Sequence, residues 1–162
     1  RCILLQDADL CKAQVQNEAE QCFFRAFISG QRIPLRTANS TKLPGGIWEG
    51  SGWTGQPLIV KWDDATKAIM NLYDTKKAKA DLVEVIYATL DGHIYFLDLA
   101  DGTPTRDAIN MGMCFKGSGA LDPRGYPLMY VGSGDENSEG KRPHMFVISL
   151  IDGKILFQYG HE

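Results

Sequence analysis

The chain contains no long apolar run and no excess of positive charge. Its longest apolar stretch, residues 145–151, already includes Ser149 and is far below the ~20 residues that a membrane-spanning helix needs. The formal net charge of −3 provides no basic surface of the kind that binds nucleic acid through its phosphates. The short basic runs at residues 76–79 and 141–142 are interpreted as solvated loop charges. We therefore expect neither a membrane span nor a nucleic-acid partner.

The sequence also lacks the motifs of the common catalytic and metal-binding classes. It has no His-Glu-x-x-His, no Gly-x-Ser-x-Gly and no glycine-rich nucleotide loop. No two of its cysteines have the Cys-x-x-Cys spacing of a zinc knuckle or redox centre, and we interpret all four as buried free thiols: Cys2, Cys11, Cys22 and Cys114. A disulfide from Cys2 to Cys11, or from Cys22 to Cys114, is the alternative in an oxidising compartment.

A pattern that occurs twice gives the first indication of architecture. Gly50-Ser51-Gly52 leads to Gly55-Gln56-Pro57-Leu58-Ile59-Val60, and Gly117-Ser118-Gly119 leads to Gly125-Tyr126-Pro127-Leu128-Met129-Tyr130. Each copy continues into apolar strands and an Asp-Gly turn, and duplication of a strand-rich unit predicts a propeller or solenoid. We interpret the two Gly-Ser-Gly triplets as bends at equivalent repeat positions rather than as phosphate-binding loops.

The clearest predicted element is a β-hairpin. Residues 83–90 are rich in β-branched and aromatic side chains, and Asp91-Gly92 follows them, a dipeptide that favours a type I′ turn with positive φ at both positions. Residues 93–99 form the partner strand. The apolar run is almost continuous, which predicts strands covered on both faces.

The second copy has the same order of elements, with strands at residues 127–131 and 145–150. Tyr87 aligned on Tyr130 gives a spacing of 43 residues, whereas the turns at Asp101 and Asp152 are 51 residues apart, so the second hairpin loop has an insertion of about eight. A period in the forties fits a four-stranded blade. The expected division is an N-terminal segment at 1–46, a blade at 47–110 with an inserted helix or loop at 63–80, and a blade at 111–162.

The N-terminal segment allows two interpretations. Apolar residues at spacings of three and four predict a helix over about residues 9–28, with Gly30 placed to end it. The alternative makes residues 22–28 and 32–36 strands of an incomplete preceding blade. The fold class is all-β in either case, with a short N-terminal helix in the first.

The Asp-Gly hairpins resemble the repeat of quinoprotein-like β-propellers, in which a strand, Leu-Tyr-Ala-Leu-Asp, a Thr-Gly turn and a Trp follow one another. Residues 86–102 match this repeat, and residues 129–133 and 145–154 match it more loosely. The family's Trp, which docks one blade against the next, is replaced at about Arg106 and Phe157. The resemblance covers residues 48–160 and implies antiparallel four-stranded blades and a location outside the cell or in its envelope. It implies no cofactor, because a quinone site gathers side chains from many blades.

A closed propeller needs at least four blades, so the chain is expected to be a fragment of two to three. Its open sheet edges need neighbouring blades or self-association to cover them. The predicted function is a non-catalytic binding or scaffold module. The alternative is a fragment of a propeller enzyme, a quinoprotein oxidoreductase or a hydrolase, whose active site is completed by residues outside this chain.

Propellers bind partners through the loops at the ends of their strands. The candidate binding residues for a protein or carbohydrate ligand are Trp48, Trp53, Asp91 and His93, with core packing the alternative for the tryptophans and a surface role the alternative for the histidine. Oxygen donors also cluster in one loop and suggest a calcium site, with a solvated loop as the alternative: Asp135, Glu136, Asn137 and Glu139.

Overall fold

The computed structural model describes residues 40–43, 46–49, 55–134 and 143–160. Strands β1 (Ser40–Leu43) and β2 (Gly46–Glu49) pair with each other in a two-stranded antiparallel sheet. Because β2 pairs with β1, this hairpin crosses the expected boundary between residues 46 and 47. The predicted N-terminal helix and the alternative strands in its place lie outside the described residues.

Two four-stranded antiparallel sheets contain the other eight strands of the described chain, as the sequence predicted. In each sheet, the four strands are neighbours in the order in which they occur along the chain. Sheet 1 contains β3 (Leu58–Val60), β4 (Glu84–Ala88), β5 (His93–Asp98) and β6 (Ile109–Asn110). Sheet 2 contains β7 (Ala120–Leu121), β8 (Leu128–Gly132), β9 (His144–Ser149) and β10 (Ile155–Gly160).

The insertion between β3 and β4 folds as two short helices, α1 (Asp64–Ile69) and α2 (Asp74–Lys77). Asp63 caps α1, because its carboxylate accepts a hydrogen bond from the Thr66 N–H at 2.8 Å. Of the two sequence interpretations of this insertion, the helical one is therefore confirmed.

Hydrogen bonds show that the two sheets are copies of one unit. In sheet 1, the Gly102 N–H donates to the Asp98 carbonyl, and in sheet 2 the Gly153 N–H donates to the Ser149 carbonyl. Three further bonds of this turn recur at the same spacing of 51 residues, which confirms the predicted alignment of the two turns. The donors of these three are Asp98, Ala100 and Thr103 in sheet 1, and Ser149, Ile151 and Lys154 in sheet 2.

The second strands align differently from the prediction. The Leu99 N–H bonds the carbonyl of Val83, and the Leu150 N–H bonds that of Pro127, so the second strands are 44 residues apart rather than 43. Tyr130 therefore matches Ile86 and not Tyr87, and the insertion in the second hairpin loop is seven residues rather than eight. The alignment of Tyr87 with Tyr130 was wrong by one residue. Because successive side chains point to opposite faces, this shift assigned the side chains of one strand to the wrong face of the sheet.

The first strands show that the two Gly-Ser-Gly triplets are not equivalent. Leu58 pairs with Ile86, and Ala120 pairs with Tyr130, so the first strands are 62 residues apart. At that spacing Gly117 matches Gly55. The predicted equivalence of the two motifs was wrong, although the duplication of the sheet itself was correct. The Gly-x-Pro-Leu motif begins the first strand of sheet 1 but the second strand of sheet 2, because glycine and proline precede strands at any position in a sheet.

The two sheets pack face to face around one apolar core. We call the side of sheet 1 that meets sheet 2 its front face, and the side of sheet 2 that meets sheet 1 its back face. The core is formed by Ile86, Ile94 and Phe96 from the front face of sheet 1, by Met129, Val131, Phe146 and Ile148 from the back face of sheet 2, and by Trp62, Met70, Leu72, Leu82 and Phe115 from the connections.

Both faces of sheet 1 are buried, which confirms the expectation drawn from its continuous apolar run. Val85, Tyr87 and Leu97 point away from sheet 2 and are nevertheless buried. Sheet 2 is different, because its front face, on the side away from sheet 1, carries exposed side chains on β9 and β10. The two sheets thus have the same topology, but sheet 1 is buried on both faces and sheet 2 is partly exposed on its front face.

A buried ion pair ties sheet 1 to the last turn of sheet 2. Arg106 donates to both carboxylate oxygens of Glu84, at 3.0 and 2.5 Å, and its guanidinium lies 4.4 Å from the centre of the Phe96 ring. The same guanidinium donates to the carbonyl of Leu150 in sheet 2. Arg106 therefore bridges the two sheets.

Candidate functional site

Two of the predicted binding residues, Asp91 and His93, lie in the turn between β4 and β5. The Thr89 N–H donates to the His93 carbonyl at 2.9 Å, and the Gly92 N–H donates to the Thr89 carbonyl at 3.2 Å, which leaves a loop of three residues. Gly92 has a φ of 84°, and only glycines have a positive φ in the described ranges. The predicted type I′ turn is therefore wrong, since glycine alone takes the left-handed position, as in three-residue hairpin loops.

The Asp91 carboxylate is buried inside this turn. It accepts hydrogen bonds from the hydroxyls of Thr89 and Tyr95, at 2.5 and 2.6 Å, and from the His93 N–H at 3.1 Å. The imidazole of His93 stacks on Tyr95 with ring centres 5.8 Å apart, and its side chain is 12% exposed. Asp91 thus holds the turn together, while His93 is the member of the pair that reaches the surface. Ligand binding by either residue stays a prediction.

The equivalent turn of sheet 2 begins and ends in the same way. The Ser133 N–H and hydroxyl both donate to the His144 carbonyl, at 2.8 and 3.2 Å, as those of Thr89 do to His93. The loop between these anchors is three residues long in sheet 1 and ten in sheet 2. The longer loop carries the predicted calcium ligands, which lie outside the described residues: Asp135, Glu136, Asn137 and Glu139.

The segment before β7 joins the two loops. The Phe115 N–H donates to the Thr89 carbonyl at 3.0 Å, and the Gly134 N–H donates to the Cys114 carbonyl at 2.7 Å. The short loop and the base of the long loop therefore lie at the same end of the two sheets, next to each other. Cys114 is a buried free thiol, so the alternative disulfide to Cys22 is not formed.

The tryptophans have separate locations. Trp48 lies in β2 opposite Thr41, and Trp53 lies outside the described residues. Trp62 is buried in the core, where its indole N–H donates to the Glu84 carboxylate at 2.9 Å. Trp62 is thus a core residue, while binding by Trp48 and Trp53 stays a prediction.

The opposite end of sheet 1 carries a charged cluster that sequence reasoning missed. Lys76 and Lys79 donate to one oxygen of the buried Asp98 carboxylate at 2.7 and 2.8 Å, so these two lysines are not solvated loop charges as predicted. Burial raises the pKa of Asp98, but the hydrogen bonds from the two lysines outweigh it and hold the pKa below 3.8. The cluster fastens α2 to the end of β5 and is structural.

Within the described ranges, no group of three His, Cys, Asp or Glu side chains is placed to hold a metal ion. No helix there is long and apolar enough to cross a membrane. The chemistry that sequence reasoning missed lies inside the protein, in the pair of Glu84 and Arg106. A glutamate flanked by Val83 and Val85 in a continuous apolar strand was the signal, because such a residue is buried only with a partner.

No family model matches this chain, and no curated protein matches it either. Its function is therefore inferred from the internal repeat, the packing of the two sheets and the loops at their shared end.

Proposed function

We propose that this chain is a non-catalytic binding or scaffold module built from two blades of a quinoprotein-like β-propeller. In this proposal the protein lies outside the cell or in its envelope. It holds a rigid stack of sheets and presents the loops at one end of that stack to a protein or carbohydrate ligand. Neighbouring blades or a second molecule cover its open sheet surfaces.

The repeated turn, together with the packing of the two copies, is the observation that carries this proposal. Two meander sheets with the same four turn hydrogen bonds stack front face to back face. Stacking of equivalent units in one direction is how a repeat architecture buries a continuous core. Arg106 supports the blade interpretation further, since it contacts the neighbouring sheet from the position of the family's docking Trp.

The chemistry of the first strands favours a non-catalytic role. In a propeller the first strand of each blade faces the central axis, where an enzyme of this class gathers its titratable side chains. Here the first strands and the residues leading into them, at 55–60 and 117–121, contain no titratable side chain. The two strands are held together by the Gln56 N–H, which donates to the Ser118 hydroxyl at 2.7 Å.

The close approach of the two first strands also depends on glycine. A Cβ atom added to Gly55 would lie 2.5 Å from the carbonyl oxygen of Gly117, whereas one added to Gly117 would meet nothing within 4 Å. Backbone therefore approaches backbone at this edge, and there is no room for a catalytic side chain at position 55.

A loop graft tests the proposal. Residues 134–143 are replaced by Leu90-Asp91-Gly92, the loop that connects the equivalent anchors in sheet 1, and the variant is compared with the unaltered chain on a printed oligosaccharide array. Lys154→Ala, at the opposite end of sheet 2, is the matched control. We expect the graft to keep the fold and to lose oligosaccharide binding, while the control retains it.

Pyrroloquinoline quinone is then titrated into the unaltered chain and followed by tryptophan fluorescence. The proposal predicts no saturable binding. Saturable quinone binding would contradict a non-catalytic role, and oligosaccharide binding that survives the graft would place the binding surface elsewhere.

A further inference from the structure

The front face of sheet 2 is the exposed counterpart of a face that is buried in sheet 1. At the spacing of 51 residues, Met145 matches Ile94 and Val147 matches Phe96. Ile94 and Phe96 are buried in the core between the sheets, whereas Met145 is 47% exposed; Val147 is buried, at 8% exposure. The internal repeat therefore shows that the front face is covered in sheet 1 and partly exposed in sheet 2.

Four neighbouring apolar side chains lie together on this face, three of them exposed and Val147 buried among them. We call this group the outer patch: Met145, Val147, Phe157 and Tyr159. Phe157 lies directly across from Val147, and Tyr159 lies directly across from Met145. The rings of Phe157 and Tyr159 stack with centres 6.3 Å apart, and these two side chains are 60% and 58% exposed. Large apolar side chains in contact with one another at a protein surface mark interaction sites.

We propose that the outer patch binds a second copy of this chain, front face against front face about a two-fold axis. None of its four side chains is charged, so two copies of the patch meet without electrostatic repulsion. The other faces of the two four-stranded sheets are already covered, because sheet 1 is buried on both sides and the back of sheet 2 meets sheet 1. The matching surface that a second copy offers is therefore the same patch, which is the condition for a two-fold interface.

The size of the patch sets the strength of the contact. A large aromatic side chain buries about 150–250 Å², so the exposed parts of Phe157, Tyr159 and Met145 supply on the order of 350 Å² per copy. With the border of the patch included, a dimer removes roughly 800–900 Å² from water in total, below the 1,200–2,000 Å² of a standard interface. We therefore infer a weak, reversible dimer.

This inference rests on the proposed scaffold function and names its partner. It does not depend on what the loops bind, because the patch lies on a sheet face and the loops lie at the strand ends. A failure to dimerise would therefore leave the outcome of the loop graft unchanged, and a failure of the loop graft would leave the dimer unchanged.

Sedimentation velocity of the full chain, over a concentration series of roughly 5 to 300 μM that suits a weak dimer, tests the proposal. We expect the average mass to rise toward that of a dimer with concentration. Phe157→Lys and Tyr159→Lys should each weaken association by at least about tenfold, because they bring two like charges together at the centre of the contact. Phe157→Tyr should retain the dimer. The matched control is Ile69→Lys, which places the same charge on an exposed apolar residue of α1.

A chain that stays monomeric at the highest concentration would overturn the proposal. So would a dimer that resists both lysine variants, since that result would assign association to the edge of β10 or to another surface. Equal dissociation by Ile69→Lys would also overturn it, because the effect would then be general charge repulsion. Phe157 and Tyr159 are largely exposed, so both lysine variants should fold, and thermal unfolding checks this directly.

Discussion

Removing Arg106 should strongly destabilise the protein, because it leaves a buried charge without its partner. Glu84 and Arg106 are almost completely buried, at 0% and 2% exposure. Arg106→Met keeps much of the aliphatic volume of the side chain but leaves the Glu84 carboxylate without its cation. Removal of one partner from a buried ion pair costs about 3–5 kcal/mol. At roughly 2–4 °C per kcal/mol for a chain of this size, Tm should fall by about 6–20 °C.

A second variant separates the buried charge from the lost packing. In Glu84→Gln/Arg106→Met the side chain at 84 has no charge, yet its carbonyl oxygen still accepts a hydrogen bond from Trp62 or Thr105. The double variant should therefore be about 1–2 kcal/mol more stable than Arg106→Met alone. In both variants the Leu150 carbonyl loses the donor that joins the sheets.

Urea unfolding followed by tryptophan fluorescence provides the free energies, with Lys154→Ala as an exposed control that should change them by less than about 0.5 kcal/mol. The reasoning would be refuted by an Arg106→Met variant that loses less than about 1 kcal/mol. A double variant that is less stable than the single one would also refute it, because the cost would then not arise from the uncompensated carboxylate.

Three further predictions concern particular contacts. Gly55→Ala should lower the free energy of unfolding by about 2 kcal/mol or more, since its Cβ would meet the Gly117 carbonyl, whereas Gly117→Ala should be tolerated; equal effects would contradict the close approach. Asp98 has a lowered pKa in the folded protein, so the stabilisation that its carboxylate provides is fully present above about pH 3.8 and is lost as the pH falls through the pKa of the folded state. The free energy of unfolding should therefore decrease below about pH 4, and it should decrease less in Asp98→Asn. Cys114 is fully buried, so mass spectrometry should find it alkylated at least about a hundredfold more slowly in the native chain than in urea, and fast native labelling would contradict its placement.

The sequence predicted the hairpins correctly because their apolar runs and Asp-Gly turns are local features. The strands of residues 83–99 and 145–150 were found within one or two residues of their observed bounds, and the turns at Asp101 and Asp152 were matched at the correct spacing. Burial of both faces of β4 was also predicted, since a strand with one solvated face alternates between apolar and polar residues.

The alignment of the second strands could not be fixed from residue types. Tyr130 occupies the position of Ile86, but the nearest tyrosine in the sequence of sheet 1 is Tyr87, one residue further on. Only the hydrogen bond from Leu150 to Pro127 shows that the alignment must be shifted by one residue. The predicted equivalence of the two Gly-Ser-Gly triplets was wrong for a similar reason, because glycine clusters precede strands at any position in a sheet.

The candidate site was predicted in part. The structure places the Asp91 turn beside the base of the loop that carries the predicted calcium ligands, through the contacts of Cys114 and Phe115. The two loops lie side by side because of the strand order and because one connection contacts both of them. No local sequence pattern predicts this. The roles of Lys76, Lys79 and Asp98 were missed because an ion pair between distant segments depends on the packing of α2 against β5.

The central claim is that two copies of one sheet pack front face to back face along their whole width. Nuclear Overhauser contacts in the purified chain test it most directly, at two points far apart on the interface. The account predicts contacts from the Leu58 methyls to Gly119 at the first strands, and from the Ile109 methyls to Gly153 at the last turn. Intact strand pairing within each sheet without either of these contacts would show two independent sheets and contradict the account.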